Sequence, residues 1–592
     1  MEKAARILAE KLRGAALQAR FMPRALAMAW QATGGRSVVW LALLCAQGLV
    51  PVAIVYLSRP LVDSLAAAAS SGPDASSTTL LLTLGAAMAG ALLLGELLRS
   101  ISEWMRTDQA QRIEDHLSAV IHSKSTTVDL GFYESADFHD HLHRAREEAR
   151  YRPVALLQNA GSLVQNGITL VGMAGILAPY GLWISAALLF STLPALVVVL
   201  RFALLEHAFR QRTTGDERRS WYYDWIMTAG EAAAEVRLFG LGPRLRTAYI
   251  DLRRKLRAER ARLARSQAGA EVAAGTLALV IAGACVAWMG WRAIHGEVRL
   301  GDVALFYFSF GQGQRVMRSL LSGVGQTYYN ILFLGNLFEF LDLESGVRDP
   351  GVPREMVSAP GTALPVQFFD VTFRYPGTER LALRNFTLSV PAGQVAAIVG
   401  ANGAGKSTLI KLLCRFYDPH AGRVELGGID VREMELESVR ASITVLFQQP
   451  VRYNATAGEN IALHGAPADD IEAAARSAGA DEIVARLPQG YGTLLGRWFS
   501  GGVDLSVGEW QRIALARAFA RRTPVILLDE PTSAMDSWAE ADWMRKFRTL
   551  ASGRTAIIVT HRFTTAMQAD VIHVMDEGRI VESGSHDELI TR

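Results

Sequence analysis

From Val154 to Leu200 the chain runs through 47 residues without one Asp, Glu, Lys or Arg. An uncharged stretch of that length does not suit a water-soluble domain, whose helices keep a polar face. About 20 apolar residues cross a bilayer, so the stretch reads as two crossings joined by the turn signal APYG at 178–181. Residues 38–57, 75–95 and 272–291 are three further uncharged runs of crossing length. A sixth, weaker crossing is expected from Val303, where VALFYFSFGQGQ runs into Arg315 and Arg318. Half of the residues are hydrophobic, in keeping with membrane segments.

Charge then suggests an orientation. Residues 1–37 carry seven Lys and Arg, 101–153 carry seven and 203–267 carry fourteen. The segment 59–79 carries only Arg59, and the APYG turn carries none. Basic loops stay in the cytoplasm, so the N-terminus and both long charged segments are expected there. Arg292 and Arg299, in 292–302, are a mild exception. The pair Arg99 and Glu103, four residues apart, suits helices that continue beyond the bilayer. DLGFYESADFHDHLHRA (129–145) and SWYYDWIMTAGEAAAEVRLFGL (220–241) mix aromatic and acidic residues. Phe132, Tyr133, Trp221, Tyr222 and Tyr223 are expected at an interface with another domain, since a solvated linker has no need of them.

The net charge of +3 implies no nucleic-acid partner. Cys45, Cys285 and Cys414 have no metal-binding spacing and are expected as free buried thiols. No apolar core run near the start marks a cleavable signal.

Residues 342–365 are rich in Pro and Gly and read as a linker. Beyond Val366 the pattern turns to short strands. One of them, QVAAIVG, enters GANGAGKST at 400–408, and a helical pattern follows. Glycines let such a loop aim several N–H groups at phosphate oxygens, and the helix start adds its positive end. The loop Gly400, Asn402, Gly403, Gly405, Lys406, Ser407 and Thr408 is therefore the expected nucleotide cradle, a motif that kinases and GTPases share. Lys406 should reach the β- and γ-phosphates, and Ser407 should bind Mg²⁺. VILLDE (525–530) is a buried-strand run ending in two acids. Asp529 should hold Mg²⁺, and Glu530 should orient the attacking water. TAIIVTH ends in His561, read as a contact to the γ-phosphate. Gln448, in VLFQQP, can reach the metal or the water.

Strand, phosphate loop, VLFQQP, LSVGEW, VILLDEPTSAMD and TH, in this order, resemble the ATPase domain of ABC transporters over roughly 366–592. Six spans with two cytoplasmic coupling segments on the same chain resemble the half-transporter exporters of that family. The resemblance implies a multidomain chain in four parts: a cytoplasmic segment 1–37, an all-α six-helix transmembrane domain 38–341, a linker 342–365 and an α/β P-loop ATPase domain 366–592. It implies that Tyr375 stacks on adenine, that Asp536 lies at a dimer interface, and that YNATAGENI (453–461) lies near docked coupling helices. It also implies a dimer, because each ATP is sandwiched between one phosphate loop and the signature of the other subunit. A homodimer is expected, with a heterodimer as the alternative. The expected setting is the bacterial inner membrane, with the ATPase domain in the cytoplasm.

LSVGEW departs from the family's LSGGQ: Val507 replaces a glycine and Glu509 a glutamine. The run S-V-G-E is a capping box, with Ser506 capping the helix and Glu509 reaching back to the serine N–H. Ser506, Gly508 and Glu509 are thus expected to face the other subunit's ATP. Glu509 adds negative charge there, partly offset by the helix dipole. Helical φ and ψ at Val507 accept a β-branched residue, but its methyls add bulk near the γ-phosphate. Hydrolysis is expected to survive, at a reduced rate if the valine crowds the phosphate.

Arg315 and Arg318 lie about 20 Å along the sixth helix at 1.5 Å per residue. With Gln312 they suggest a polar cavity for an anionic or peptidic substrate. The other reading starts the helix later and leaves the arginines near its cytoplasmic end. The family resemblance favours export of a peptide or amphipathic natural product, with lipid flipping or multidrug export as alternatives. An ATP-gated channel or sensor is the alternative from another class. Only 37 residues precede the first run, too few for a peptidase domain, so processing of the cargo is not expected.

Overall fold

The computed structural model describes residues 21–71, 75–134, 152–354, 362–463, 465, 467–533, 540, 543, 547–548 and 551–591. Contacts divide the chain into two units. One is Met1–Thr126 with His139–Leu343, and the other is Thr127–Phe138 with Glu344–Arg592.

The first unit is helical: α1 (Met22–Thr33), α2 (Arg36–Ser71), α3 (Ala75–Thr127), and, after the short α4 (Leu130–Tyr133) of the second unit, α5 (Arg152–Leu177), α6 (Leu182–Thr228), α7 (Ala233–Leu238), α8 (Gly242–Ile294) and α9 (Leu300–Leu341). Among the described residues five helices are long and apolar enough to cross a membrane, within α2, α3, α5, α6 and α8. The weak sixth run forms the 42-residue helix α9, which is not among those five. Both α3 and α8 have 53 residues, about 80 Å at 1.5 Å per residue. A bilayer core is about 30 Å thick, so each is long enough to cross and project well beyond it. Leu82, Leu93, Val171 and Leu279 are largely exposed, as side chains that face lipid must be.

The 47-residue uncharged stretch breaks at the expected place. Ala178–Tyr180 forms a 3₁₀ turn, and Gly181 follows at φ 129°. Tyr180 hydroxyl donates to Asp302 Oδ1 at 2.7 Å, and Arg59 Nε lies 2.8 Å from the same oxygen. Asp302 Oδ2 accepts from Arg299 N–H at 2.9 Å, closing the start of α9. One buried carboxylate therefore gathers three chain segments. Where α2 and α5 meet, Thr169 hydroxyl donates to the Gly48 carbonyl at 2.7 Å, a polar bond between apolar helices. At the N-terminal end, the Arg24 guanidinium forks onto both oxygens of Asp342 at 2.8 Å each.

The second unit holds two sheets. β1 (Val366–Arg374), β2 (Leu381–Val390), β4 (Ala421–Leu426) and β5 (Ile429–Asp430) form an antiparallel sheet in the order 2-1-4-5. The other sheet has β3 (Val395–Gly400), β6 (Ile443–Leu446), β7 (Val525–Asp529), β8 (Thr555–Val559), β9 (Val571–Asp576) and β10 (Arg579–Gly584). Its order is 10-9-3-8-7-6, parallel except for β10. Every residue of β7 and β8 is buried. This is why both read as unbroken apolar runs rather than alternating ones. The loops that leave the C-terminal ends of β3, β6, β7 and β8 carry chemistry-bearing residues.

The aromatic segment at 129–134 also belongs to this unit. Glu134 accepts from Lys411 Nζ at 2.6 Å and from Tyr417 hydroxyl at 2.7 Å, and Asp129 Oδ2 accepts from Gly346 N–H at 2.5 Å. The early part of the expected linker lies on the same unit: Arg415 Nη2 donates to the Arg348 carbonyl at 2.7 Å, and Leu436 N–H donates to Asp349 at 2.7 Å. All three cysteines are free. Cys414 is fully buried, and burial pushes its thiol up to about 12.

Candidate nucleotide site

The loop after β3 turns tightly because its glycines take conformations that side chains reject. Gly400 has φ 154° and Gly405 φ 102°. A Cβ on Gly400 would run into the Met575 carbonyl oxygen, and one on Gly405 would come within 2.5 Å of the Ala382 carbonyl oxygen. The helix Lys406–Leu413 (α10) starts immediately after. Lys406 is buried, and its Nζ donates to the carbonyls of Gly400 at 2.8 Å and Ala401 at 2.9 Å. The ammonium is thus folded back over the loop.

At the end of β7, Asp529 Oδ2 accepts from Ser407 hydroxyl at 3.2 Å. Burial raises the Asp529 carboxyl above its ordinary range, and the nearby Glu530 adds to this, while the Ser407 bond and Lys406 act against it. Such a carboxylate gains from a cation beside it. The oxygen donors of Ser407, Asp529 and Gln448 fit a hard ion such as Mg²⁺.

Glu530 adopts φ 51°, unusual for a residue with a side chain. Its N–H donates to the Val559 carbonyl at 2.8 Å. Its carboxylate is held at both oxygens: Gln448 Nε2 donates to Oε2 at 3.2 Å, and His561 Nδ1 lies 3.1 Å from Oε1.

A cavity of about 480 Å³ opens over the loop. Tyr375, Asn402, Gly403, Gly405, Lys406, Ser407, Thr408, Gln448, Asp529 and Glu530 all line it. Gly400 supports the loop from below and His561 joins through Glu530; neither lines the cavity. Tyr375 hydroxyl pairs with Thr408 hydroxyl at 3.0 Å, and Lys411 Nζ stands 4.9 Å from the centre of its ring. Sequence reasoning missed Thr378 and Arg380, which also line the cavity. Arg380 Nη2 donates to the Gly403 carbonyl at 3.4 Å. The sequence offers only a weak signal for them: both follow Tyr375 within one loop.

Ser506, Gly508 and Glu509 do not line this cavity. They start the helix Val507–Ala520 (α11), and the capping box is formed. Ser506 N–H donates to Glu509 Oε2 at 2.9 Å, and Glu509 N–H donates to Ser506 Oγ at 3.3 Å. The other Glu509 oxygen accepts from Arg486 Nη2 at 2.9 Å. Val507 is 61% exposed. Asp536 lies outside the described residues.

In the helical unit a cavity of about 970 Å³ lies among α6, α8 and α9. Glu206, Arg210, Gln267, Glu271, Gln314 and Arg318 give it a polar lining of both charge signs. Of the three residues expected there, only Arg318 lines it. Arg315 turns instead to Gln312, donating to its Oε1 through Nε at 3.1 Å and Nη2 at 2.6 Å. Neither Gln312 nor Arg315 reaches the cavity, because the two side chains satisfy each other one helical turn apart.

Comparison with known proteins agrees with this arrangement. The ABC transporter family profile matches residues 383–533. The chain is 29% identical over 550 residues to the subtilin transport ATP-binding protein SpaT of Bacillus subtilis, covering 92% of this chain and 88% of that one. It is 38% identical over 300 residues to the ATP-dependent lipid A-core flippase of Aromatoleum aromaticum, about half of either chain (50% and 49%). Its fold superposes on a bacterial Atm1-family ABC exporter with ATP bound at a TM-score of 0.82 and 26% identity, covering 94% of this chain and 96% of that one.

Proposed function

We propose that this chain, a half-transporter of the ABC exporter type with its ATPase domain fused to a helical membrane domain, exports a peptide or a similar amphipathic product. ATP-driven export is the activity of the whole chain, and a half-transporter works as a dimer. The finer reading rests chiefly on one observation. The likeness to the subtilin transport protein runs through 92% of the chain, membrane helices included, whereas the flippase likeness covers half. The cavity lined by Glu206, Glu271, Arg210 and Arg318 suits a substrate bearing both charge signs.

The site residues take these roles. The loop N–H groups and Lys406 bind the β- and γ-phosphates, and Tyr375 stacks on the adenine. Ser407, Asp529 and Gln448 would hold Mg²⁺, which would supply charge neutralisation at the phosphates. Glu530, held between Gln448 and His561, keeps its carboxylate aimed at the attacking water. His561 shares that carboxylate and contacts the γ-phosphate. Ser506 and Gly508 serve the nucleotide bound by a second copy, so the working form is a homodimer. The ATPase domain faces the cytoplasm of a bacterial inner membrane, as the basic segments favour.

The test is ATPase activity in proteoliposomes against a panel of cationic and zwitterionic peptides, lipids and small hydrophobic drugs, with Glu530→Gln as the inactive control. Peptides are expected to stimulate hydrolysis and to accumulate on the far side. Stimulation by lipids alone would replace the peptide reading with flipping.

A further inference from the structure

We propose that Gln511 is a positioning residue for hydrolysis, whose side-chain amide locks the backbone of Glu530 in the conformation that aims its carboxylate. Glu530 sits at φ 51°, a region that costs a side-chain-bearing residue energy and persists only where the surroundings enforce it. The flanking bonds do enforce it. The Glu530 N–H is tied to β8 through the Val559 carbonyl, and its own carbonyl accepts from Ser533 N–H at 3.2 Å and from Gln511 Nε2 at 3.1 Å. The same Gln511 nitrogen donates to Ser533 Oγ at 3.2 Å. Gln511 is 6% exposed, and a buried amide needs partners; Glu530 and Ser533 accept both of its N–H bonds.

Position on the chain gives the link its meaning. Gln511 rides on α11, one turn after the Ser506 cap. From the far side of the same turn, Arg562 Nη2 donates to the Ser533 carbonyl at 3.2 Å, and Arg562 directly follows His561. The turn that carries Glu530 is therefore gripped between the signature helix and the histidine loop. Gln511 does not line the cavity over the phosphate loop; it acts through Glu530. The inference rests on reading Glu530 as the group that orients the attacking water.

Gln511→Leu removes both donors at similar bulk, and Gln511→Glu puts acceptors where donors stood. The full-length chain is measured in proteoliposomes for ATP hydrolysis and for thermal unfolding. Misplacing a reacting group by about 1 Å costs on the order of 100-fold in rate, so kcat is expected to fall about 10- to 100-fold, more for Gln511→Glu. KM for ATP and the melting temperature should stay near wild type, a split that general loss of structure would not produce. If either variant melts early, Ser533→Ala removes only the second acceptor and should lower kcat by a smaller factor at unchanged KM. Unchanged kcat in the folded variants, or a raised KM with kcat intact, overturns the proposal. A wild type no faster than Glu530→Gln removes the reading of Glu530 and this inference together; a wild type that hydrolyses and is matched by Gln511→Leu removes this inference alone.

Discussion

His561 Nδ1 lies 3.1 Å from Glu530 Oε1, while Gln448 Nε2 donates to the opposite oxygen at 3.2 Å. A carboxylate held on both sides is restricted in rotation, as a water-orienting group must be. Glu530→Gln keeps the shape but replaces one acceptor oxygen with a donor. It is expected to lower ATP turnover on the order of 100-fold or more while leaving ATP binding near wild type. Phosphate release and equilibrium nucleotide binding, measured on the same preparation, check this.

Val507 stands at the first position of its helix with 61% of its surface exposed. No capping bond depends on its side chain. If the signature serves a second copy's ATP as proposed, Val507→Gly should keep kcat within about threefold and lower KM for ATP, because the valine methyls would add bulk beside that nucleotide. The Ser506–Glu509 cap is kept in this exchange, and glycine in a helix costs about 1 kcal/mol or less. An ATP titration of hydrolysis decides the matter.

Glu509 is held below the usual carboxylate range, first by the Ser506 N–H, with partial burial opposing and the Ser506 hydroxyl and nearby arginines adding. Its folded pKa is depressed, so its contribution to stability is complete above about 4.3, the ordinary value, and is lost as pH falls through the lower folded value. Glu509→Ala should cost about 1 kcal/mol at neutral pH, and the difference from wild type should vanish in acid. Denaturant melts at a series of pH values test both halves.

Glu134 accepts from Lys411 and from Tyr417. Burial, then the bond to Glu134, raises the Tyr417 phenol well above its ordinary range, so it remains a donor at physiological pH. Both bonds tie the 129–134 segment to the helix and loop that follow the phosphate-binding loop. Glu134→Ala is expected to keep basal ATPase within about twofold, because an exposed ion pair is worth about 1 kcal/mol or less, and to reduce substrate stimulation. Paired measurements with and without substrate separate the two effects.

Arg318 lines the cavity of the helical unit, and Arg315 is spent on Gln312. Arg318→Ala should weaken substrate stimulation about tenfold, as loss of a charged contact worth about 1.4 kcal/mol would. Arg315→Ala should leave it unchanged. Reversal of that order would move the substrate away from this cavity.

Much of the site was legible because phosphate chemistry is written in short segments. Lys406 and Ser407 sit in one loop, and Asp529 and Glu530 adjoin on one strand end, so residue order alone suggested their neighbourhood. The capping box was legible for the same reason, since Ser506 and Glu509 are three residues apart. Arg380 and Gln511 were not. Arg380 reaches the loop carbonyl of Gly403 across 23 positions, and Gln511 meets Glu530 across 19; neither sits in a pattern with the residue it serves.

The sequence by itself determined the membrane helices, the order of the ATPase motifs and the cap on the signature helix. Each depends on local forces: uncharged length for the bilayer, glycine freedom for the phosphate loop, and hydrogen bonds within one turn for the cap. Only the tertiary structure decided which arginine faces the cavity, what fills the second oxygen of Glu509, and how Glu530 is held at φ 51°. Those outcomes depend on side chains brought together from distant positions by sheet order and helix packing, and spacing along a chain carries no record of them.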